Sequence, residues 1–578
     1  MKKLPVAVSI AKRRNPRSAV WGTHTAVRGT KTKIMKIKAI IPIILTMITL
    51  SCSKKEKVDL IVHNATVYTV NEDFATAEAF AVKDGRFVAV GTNAEILGKY
   101  SADSTLDMQG KFVFPGFIDG HSHFCSLGEN IVRYADLVGC RSFDEVLERL
   151  QAHAERYPSD WLLGRGWDQN LWPDKAFPNN SRLEQLFPGK NICLTRIDGH
   201  AGLVSNSVLA MLGFDKTTRI NGGLIELGTD GEPTGILLDN AYDRAKAIIP
   251  KLSPAEKCRA MLAAQKACFE AGLSGVSDAG ASIENINLMD SLQTAGVLKI
   301  KISAMLNDDT ATLDYFLPKG IIVKERLSVR GVKLYADGAL GSRGANLIEP
   351  YTDDPANRGL MINTLGYLDS ICQRAYDAGY QVCTHAIGDA GVRNVLKVYA
   401  KFLKGKNDLR WRIEHSQVVD SNDIALYGLY SVIPSIQSTH ATSDMGWAAD
   451  RLGPFRVRYA YAQQMLLQQN GWLVNGTDFP IESIKPLYTF YAAVARKDLD
   501  GNPAQGFQME NALTREQALR SITIWAAKGY FEERNKGSIE AGKEADFVVL
   551  DSDIMTIPEM QIPQTAVLQL FVSGERVY

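Results

Sequence analysis

The sequence predicts an α/β protein with a (β/α)8 barrel, a small β-sandwich formed by both termini and a large insertion after the first barrel strand. Two patterns support this fold class. Between residues 112 and 535, apolar strand-like runs alternate with helical stretches, as in a parallel sheet. The two ends of the chain contain short strands joined by turns instead. The 578 residues also exceed one ordinary core, so we expect at least two structural units.

The two β-rich ends are residues 52–111 and 536–578. Turn sequences such as Asp84-Gly85 and Ser573-Gly574 separate their strand-like runs. Neither end has enough apolar surface to form a stable sheet alone. We therefore predict that the two ends combine into one sandwich.

The barrel region, residues 112–535, contains more strand-like runs than a closed barrel of eight strands needs. The runs cover residues 112–119, 161–167, 192–198, 273–280, 298–306, 328–338, 380–389, 410–416, 431–438 and 471–480. The second and third lie in an irregular stretch that also includes a Gly- and Asp-rich, hairpin-like sequence. Residues 124–270 are therefore assigned to the insertion, and the other eight runs are predicted as barrel strands one to eight.

The first 51 residues have the features of an export signal. Lys36 and Lys38 precede an apolar run, residues 39–50, that is short for a membrane span. Met35 is the predicted true start. Cys52 follows the run as in bacterial lipoprotein cleavage sites, which predicts an exported lipoprotein, periplasmic or at the cell surface, whose only membrane contact is a lipid on Cys52. An uncleaved anchor and secretion into the periplasm are the alternatives.

The charge distribution argues against nucleic acid as a partner. Residues 1–51 contain eleven Lys and Arg and no Asp or Glu. Without them, 54 basic and 64 acidic residues remain, a net charge of −10. A body this acidic, without a basic stripe, is not typical of proteins that bind a phosphate backbone. A small-molecule substrate is expected instead, and a homodimer is compatible with the sequence.

Four of the nine histidines fall at the carboxyl ends of predicted strands, where reactive groups collect in parallel barrels. His121 and His123 follow the first run, and alternate residues of a strand share a face, so both can point at one ion. His385 and His415 lie at the ends of predicted barrel strands five and six, the runs 380–389 and 410–416. Each histidine alone could be a solvated or hydrogen-bonded residue, but together they are better explained as ligands of one metal centre.

Lys333 lies inside the apolar run 328–338, predicted barrel strand four, where an ammonium group is costly to bury. An ion pair with Asp337 or a side chain that reaches solvent would explain it. The alternative is carboxylation by CO2, which would make Lys333 an anionic ligand able to bridge two ions.

Asp478 lies at the end of predicted barrel strand eight, the run 471–480, where a buried carboxylate without a partner costs free energy. Beside a cation it could serve both as a ligand and as the group that moves a proton from water to a leaving group.

The motifs PGFIDGHSH, KLYADGALGSRGA, THAIGD, RIEHSQ and NGTDFP resemble those of the amidohydrolase superfamily, in its YtcJ-like branch, which includes N-substituted formamide deformylases. The resemblance covers residues 58 to 578. It implies one or two divalent ions, commonly zinc. His121, His123 and Asp478 would hold one ion, His385 and His415 the second, and carboxylated Lys333 would bridge them.

The resemblance also implies a reaction, the hydrolysis of a C–N bond in an amide, an N-formyl or N-acyl amine or a cyclic amide. A metal-activated hydroxide would attack the carbonyl, and Asp478 would transfer the proton. Deamination of a ring amine is the alternative enzyme. A surface lipoprotein that binds a metal or ligand without turnover is the alternative outside enzymes, but the presence of all the ligands and of Asp478 argues against it.

Five further polar residues near predicted strand ends are candidates for substrate binding or oxyanion stabilisation. They are Asp168, Asp198 and His200 in the insertion, Arg343 after the strand of Lys333, and His440 after predicted barrel strand seven. For Asp198 and His200, capping or pairing within the insertion is the structural alternative.

Overall fold

The computed structural model describes residues 55–578 except 197–198, 200, 221–222 and 342. The predicted export signal, Cys52 and the candidates Asp198 and His200 lie outside the described residues. Within the described part of the chain, no helix combines the length and apolar character that crossing a membrane requires.

Eight parallel strands form a nearly closed barrel, which confirms the predicted fold class. Each overlaps its predicted run, and neighbours in the chain are neighbours in the sheet. The strands are Phe117–Asp119, Leu273–Ala281, Lys301–Leu306, Leu327–Tyr335, Gln381–Ala386, Arg412–His415, Ile433–Ile436 and Val474–Asn475. A short strand, Ile322–Val323, pairs antiparallel with the fourth.

The first and last barrel strands meet just beyond their carboxyl ends. Gly120 N donates to Asn475 O at 3.0 Å, and Asp478 N donates to His121 O at 2.7 Å. These bonds bring the segment that carries His121 beside the segment that carries Asp478.

Helices surround the barrel and share its main apolar core. The helices that follow strands two to six are, in order, Ile283–Thr294, Thr310–Phe316, Leu365–Asp377, Asp389–Leu403 and Ile424–Leu429. Strand seven is followed by Ser438–Asp444, Ala448–Arg456 and Gln463–Asn470. Strand eight is followed by Pro486–Ala495, Arg515–Ser521 and Ile524–Gly529. Phe124–Arg133 and Pro254–Glu270 are the first and last helices of the segment assigned to the insertion, residues 124–270. Ser253 and Glu256 form a capping box that fixes where the latter begins.

The run 112–119, predicted as one strand, is two strands in the structure. Phe112–Pro115 pairs with strands of the terminal sandwich, and only Phe117–Asp119 belongs to the barrel. The chain changes sheets at Gly116, where a Cβ would lie 2.5 Å from Ser274 Oγ. Because both halves of the run are apolar and buried, hydrophobicity alone does not reveal the change of sheet.

Strands from both ends of the chain form two sheets around a shared core. In sheet order, the first contains Arg86–Gly91, Ala79–Lys83, Glu56–His63 and Tyr100–Asp107. The second contains Glu575–Arg576, Val567–Val572, Phe547–Leu550, Phe112–Pro115, Thr66–Tyr68 and Thr76–Ala77. Phe547 contacts Phe80 of the first sheet, with ring centroids 4.9 Å apart. One helix, Asn93–Lys99, packs on the first sheet.

The insertion contains a six-stranded sheet of its own. Its strands, in sheet order, are Gly223–Leu227, Pro233–Asp239, Ala201–Val204, Asn191–Arg196, Trp161–Trp167 and Tyr134–Asp136. Its helices are Phe143–Arg156, Ser181–Leu186, Asn206–Leu212 and Asn240–Ala247. The runs 161–167 and 192–198, which the sequence places outside the barrel, contribute two of these strands.

A buried ion pair joins the barrel to the sandwich. Lys301 opens barrel strand three and is 1% exposed. Its Nζ lies 2.6 Å from both carboxylate oxygens of Asp546 and also contacts Glu544. Both acids precede the strand Phe547–Leu550, so this cation anchors the C-terminal part of the sandwich to the barrel.

Replacing Lys301 with methionine is expected to lower the free energy of unfolding by about 3–5 kcal/mol, because the buried carboxylate of Asp546 and the partly buried one of Glu544 lose their cation. Lys324 is the matched control, since its ion pair with Asp290 lies in solvent. Lys324→Met is expected to cost less than about 1 kcal/mol. Urea denaturation followed by circular dichroism measures both variants, and equal losses would contradict the anchoring role of Lys301.

Candidate metal centre

Three of the predicted ligands converge at the carboxyl ends of the barrel strands. The ligand atoms of His121, His415 and Asp478 all lie within 4.8 Å of one another, and all three residues are buried. Asp478 Oδ1 is 3.4 Å from His121 Nε2 and 3.2 Å from the Nε2 of His123. Strands one, six and eight therefore supply one compact group of imidazoles around a carboxylate.

The remaining predicted ligands border this group. The ring centroids of His385 and His415 are 4.5 Å apart. Lys333 Nζ lies 3.2 Å from His121 Nε2. The structure thus brings together all six residues for which the sequence predicts a ligand role.

The backbone turns two of these side chains into the site. His415 has φ of 72° and Asp478 has φ of 60°, both in the left-handed region that non-glycine residues rarely adopt. In a regular strand, His415 would share a face with Ile413, which packs in the core formed with the barrel helices. The left-handed turn at the strand end redirects its ring towards the barrel mouth. Such strain is typical of functional sites.

A buried carboxylate, Asp119, connects the first and last strands below the ligands. It accepts hydrogen bonds from His121 N at 3.0 Å and from the Oγ1 of Thr477 at 2.7 Å. Burial raises the pKa of Asp119 to about 7, although these hydrogen bonds oppose the shift. Asp119 thereby fixes the backbone next to both His121 and Asp478.

Burial also sets the protonation of two of the histidines, His121 and His385. It lowers the pKa of His121 to about 4 and that of His385 to about 3, and the charge of Lys333 adds to both shifts. Both imidazoles are therefore neutral at pH 7, the form that can donate a lone pair to a metal ion. Burial opposes ionisation of Asp478, but the neighbouring His123 and His121 outweigh it and hold the pKa of Asp478 well below its usual value.

Lys333 does not pair with Asp337, the partner that the sequence offers as an alternative. The carboxylate of Asp337 instead accepts hydrogen bonds from the backbone N–H groups of Asn346, Ile387 and Gly388, at 2.8–2.9 Å. Lys333 is 1% exposed, and burial lowers the pKa of its amine. The side chain therefore neither reaches solvent nor forms the ion pair that was the alternative to carboxylation.

Two buried atoms test whether the site fits a metal ion. Asp478 Oδ1 and His385 Nε2 have no hydrogen-bond partner among the described residues. A buried polar atom left unsatisfied costs about 1–3 kcal/mol. Imidazole nitrogens and carboxylate oxygens are the donors that zinc and related divalent ions accept. The residues present fit such an ion.

Sequence reasoning missed the residues that support the ligands. Glu414 accepts from His121 Nδ1 at 2.5 Å, and Gln437 Oε1 accepts from His415 Nδ1 at 2.7 Å. One signal was available. Arg412 and Glu414 occupy alternate positions of a short barrel strand, where two buried charged side chains on one face are too costly to be incidental.

The substrate candidates differ in position. His440 borders the centre, with its Nε2 3.8 Å from Asp478 Oδ2 and its ring stacked 5.9 Å from that of His415. Asp168 accepts from Arg196 Nη2 at 2.8 Å within the insertion. Arg343 forms an ion pair with Asp353, with Nη2 and Oδ2 2.8 Å apart. Among the described residues, His440 therefore borders the ligand group, whereas Asp168 bonds to Arg196 and Arg343 to Asp353.

An open groove of about 1010 Å³ lies between the insertion and residues 480–483. The insertion contributes Tyr134 and Arg165 to its walls, and the loop after barrel strand eight contributes Ile481. This loop begins two residues after Asp478, and the size of the groove suits a small organic ligand.

Comparison with known proteins agrees with this geometry. A model described as "Amidohydrolase family" matches residues 104–578. YtcJ of Bacillus subtilis (strain 168) is 30% identical over 525 residues, which cover 89% of this chain and 98% of YtcJ. The N-substituted formamide deformylase of Arthrobacter pascens is 26% identical over 553 residues, 89% of this chain and 97% of that enzyme.

A solved structure with the same fold is an uncharacterized metal-dependent hydrolase from Pyrococcus horikoshii OT3, with a TM-score of 0.73 and 26% sequence identity. The match covers 86% of this chain and 99% of that protein. The family match spans the barrel and the C-terminal part of the sandwich, and it includes every residue of the candidate centre. The chain therefore belongs to the amidohydrolase family, and the activity that this membership supports is metal-dependent hydrolysis.

Proposed function

We propose that the protein hydrolyses a C–N bond in an amide, an N-formyl or N-acyl amine or a cyclic amide. The observation that carries the proposal is the position of Asp478. Its unsatisfied Oδ1 lies among the imidazoles of His121 and His123, at the end of the barrel where reactive groups collect. The similarity to a formamide deformylase over most of both chains supports this choice of bond.

The donor set supports one or two divalent ions, with zinc as the proposed metal. His121, His123 and Asp478 would hold one ion, and His385 and His415 would hold a second. Lys333, carboxylated on Nζ, would lie between them. When bound, such an ion lowers the pKa of water towards about 7 and polarises a carbonyl group.

The chain's own residues supply the proton transfers and the orientation. Asp478 is ionised and has an oxygen free to accept a proton from the attacking water. The same carboxyl group can then deliver that proton to the departing nitrogen. His440, 3.8 Å from Asp478, is positioned to donate a hydrogen bond to the substrate. The groove beside residues 480–483 is the proposed surface for the rest of the substrate.

A substrate panel tests the proposal. Zinc-, manganese- and iron-supplemented protein is incubated with N-formyl amines, N-acyl amines, cyclic amides and ring amines, and Asp478→Asn serves as the blank. Release of an amine, or ring opening of a cyclic amide, by the wild-type protein alone is the expected result. Release of ammonia from ring amines would favour a deaminase. Binding without turnover for every compound and metal would replace the proposal by a binding protein.

A further inference from the structure

A buried chain of charged groups runs behind His121. Arg412 and Glu414 project from barrel strand six, and both are fully buried. Arg412 donates from Nε to Glu414 Oε1 and from Nη2 to Oε2, each at 2.7 Å. Oε2 in turn lies 2.5 Å from His121 Nδ1. The carboxylate therefore joins a guanidinium on one side to an imidazole on the other.

Arg412 also contacts the backbone and two further side chains. Its Nη2 donates to Gly120 O and to Ser435 Oγ, both at 2.8 Å. The guanidinium lies 5.1 Å from the ring centroid of Tyr530, whose hydroxyl also donates to Gly120 O. Because Gly120 directly precedes His121, this network fixes the carboxylate of Glu414 relative to the imidazole that it contacts.

His415 has a neutral counterpart of this arrangement. Its Nδ1 lies 2.7 Å from Gln437 Oε1, and both residues are buried. Each of the two histidines thus presents Nε2 to the centre, and each has an oxygen acceptor behind Nδ1. The acceptor is the charged carboxylate of Glu414 for His121 and the neutral amide of Gln437 for His415. The two imidazoles therefore have hydrogen-bond acceptors of different charge.

We propose that Glu414 is a positioning residue that fixes His121 as the Nδ1–H tautomer and gives its half of the metal centre the higher metal affinity. Gln437 also fixes the Nδ1–H tautomer of His415, but its neutral amide strengthens metal binding less than the carboxylate does. A charge-assisted hydrogen bond is stronger than a neutral one, and a carboxylate acceptor increases the electron donation of the opposite ring nitrogen. The inference rests on the proposed metal centre. It adds the order in which the two metal sites bind their ions, with the site at His121 occupied first.

The test measures zinc affinity rather than activity alone. Metal-free wild-type, Glu414→Gln and Gln437→Glu proteins are titrated with Zn²⁺ against a chromophoric chelator, with melting temperatures as the control for folding. Glu414→Gln is expected to weaken the tightest site about 10- to 100-fold, the usual range for such supporting groups. Its hydrolytic rate is expected to recover at saturating Zn²⁺. Gln437→Glu is expected to tighten zinc binding at the weaker site.

The outcomes separate this inference from the proposed function. If Glu414→Gln folds and binds zinc as tightly as the wild-type protein, the inference is overturned while the proposed hydrolase stands. If Glu414→Gln does not fold, Gln437→Glu decides, and unchanged zinc affinity there overturns the inference. Wild-type protein that binds no metal would remove the inference and the proposed function together.

Discussion

Asp478→Asn is expected to lower kcat by at least about 10³-fold while the protein stays folded. Proton transfer by a positioned side chain contributes about 10²–10⁴-fold, and this variant also loses an anionic metal ligand. The amide has nearly the same size as the carboxylate, so the packing around the loop is preserved. Steady-state hydrolysis of the substrate found in the panel measures kcat, and the melting temperature reports the fold.

Asp423→Asn is the matched control for this variant. Asp423 is also a buried aspartate on a loop after a barrel strand, but it accepts from Arg393 Nε at 2.7 Å and is not a predicted ligand. A small loss of melting temperature with unchanged kcat is expected. If Asp478→Asn retained wild-type kcat, Asp478 would have no part in proton transfer.

Lys333→Met is expected to abolish measurable turnover and to reduce the number of bound ions. Lys333 is buried beside His121, and burial favours its neutral amine, the form that reacts with CO2. The amine nitrogen bonds to the carbon of CO2 and releases a proton, which gives a carbamate with two oxygen donors. Apo protein in CO2-free buffer is therefore expected to regain activity with Zn²⁺ only when bicarbonate is added.

Carbon-13 NMR distinguishes this role from a purely structural one. Protein reconstituted with ¹³C-bicarbonate is expected to show a carbamate signal that disappears in Lys333→Met and persists in Lys324→Met. Lys301 gives an internal contrast, because it is equally buried but is paired with Asp546 and Glu544. Full reconstitution without bicarbonate would contradict carboxylation of Lys333.

The barrel was predictable because its strands are short apolar runs with polar residues at their carboxyl ends. The local patterns around His121, Lys333, His385, His415 and Asp478 were sufficient to place all five on strands that meet. The division of the run 112–119 was not predictable from its hydrophobicity, because both halves are buried. It depends on the close approach of Ser274 to Gly116, more than 150 positions away in the chain.

The supporting residues were harder to predict because their contacts join distant segments. Glu414 reaches His121 across 293 positions, and no local pattern defines that pair. Arg343 shows the opposite problem. It follows the strand of Lys333, as a site residue would, but its guanidinium donates a hydrogen bond to the nearby carboxylate of Asp353. Proximity in sequence to a ligand strand therefore did not predict proximity to the ligands.

Metal analysis of the purified protein tests whether the site holds a metal ion. We expect one or two equivalents of a divalent transition metal by inductively coupled plasma mass spectrometry. Removal by a chelator should abolish hydrolysis, and added Zn²⁺ should restore it in the wild-type protein but not in a His121→Ala, His415→Ala double variant. A well-folded protein that contains no metal, takes none up and still hydrolyses its substrate at the full rate would contradict metal-dependent hydrolysis at this site.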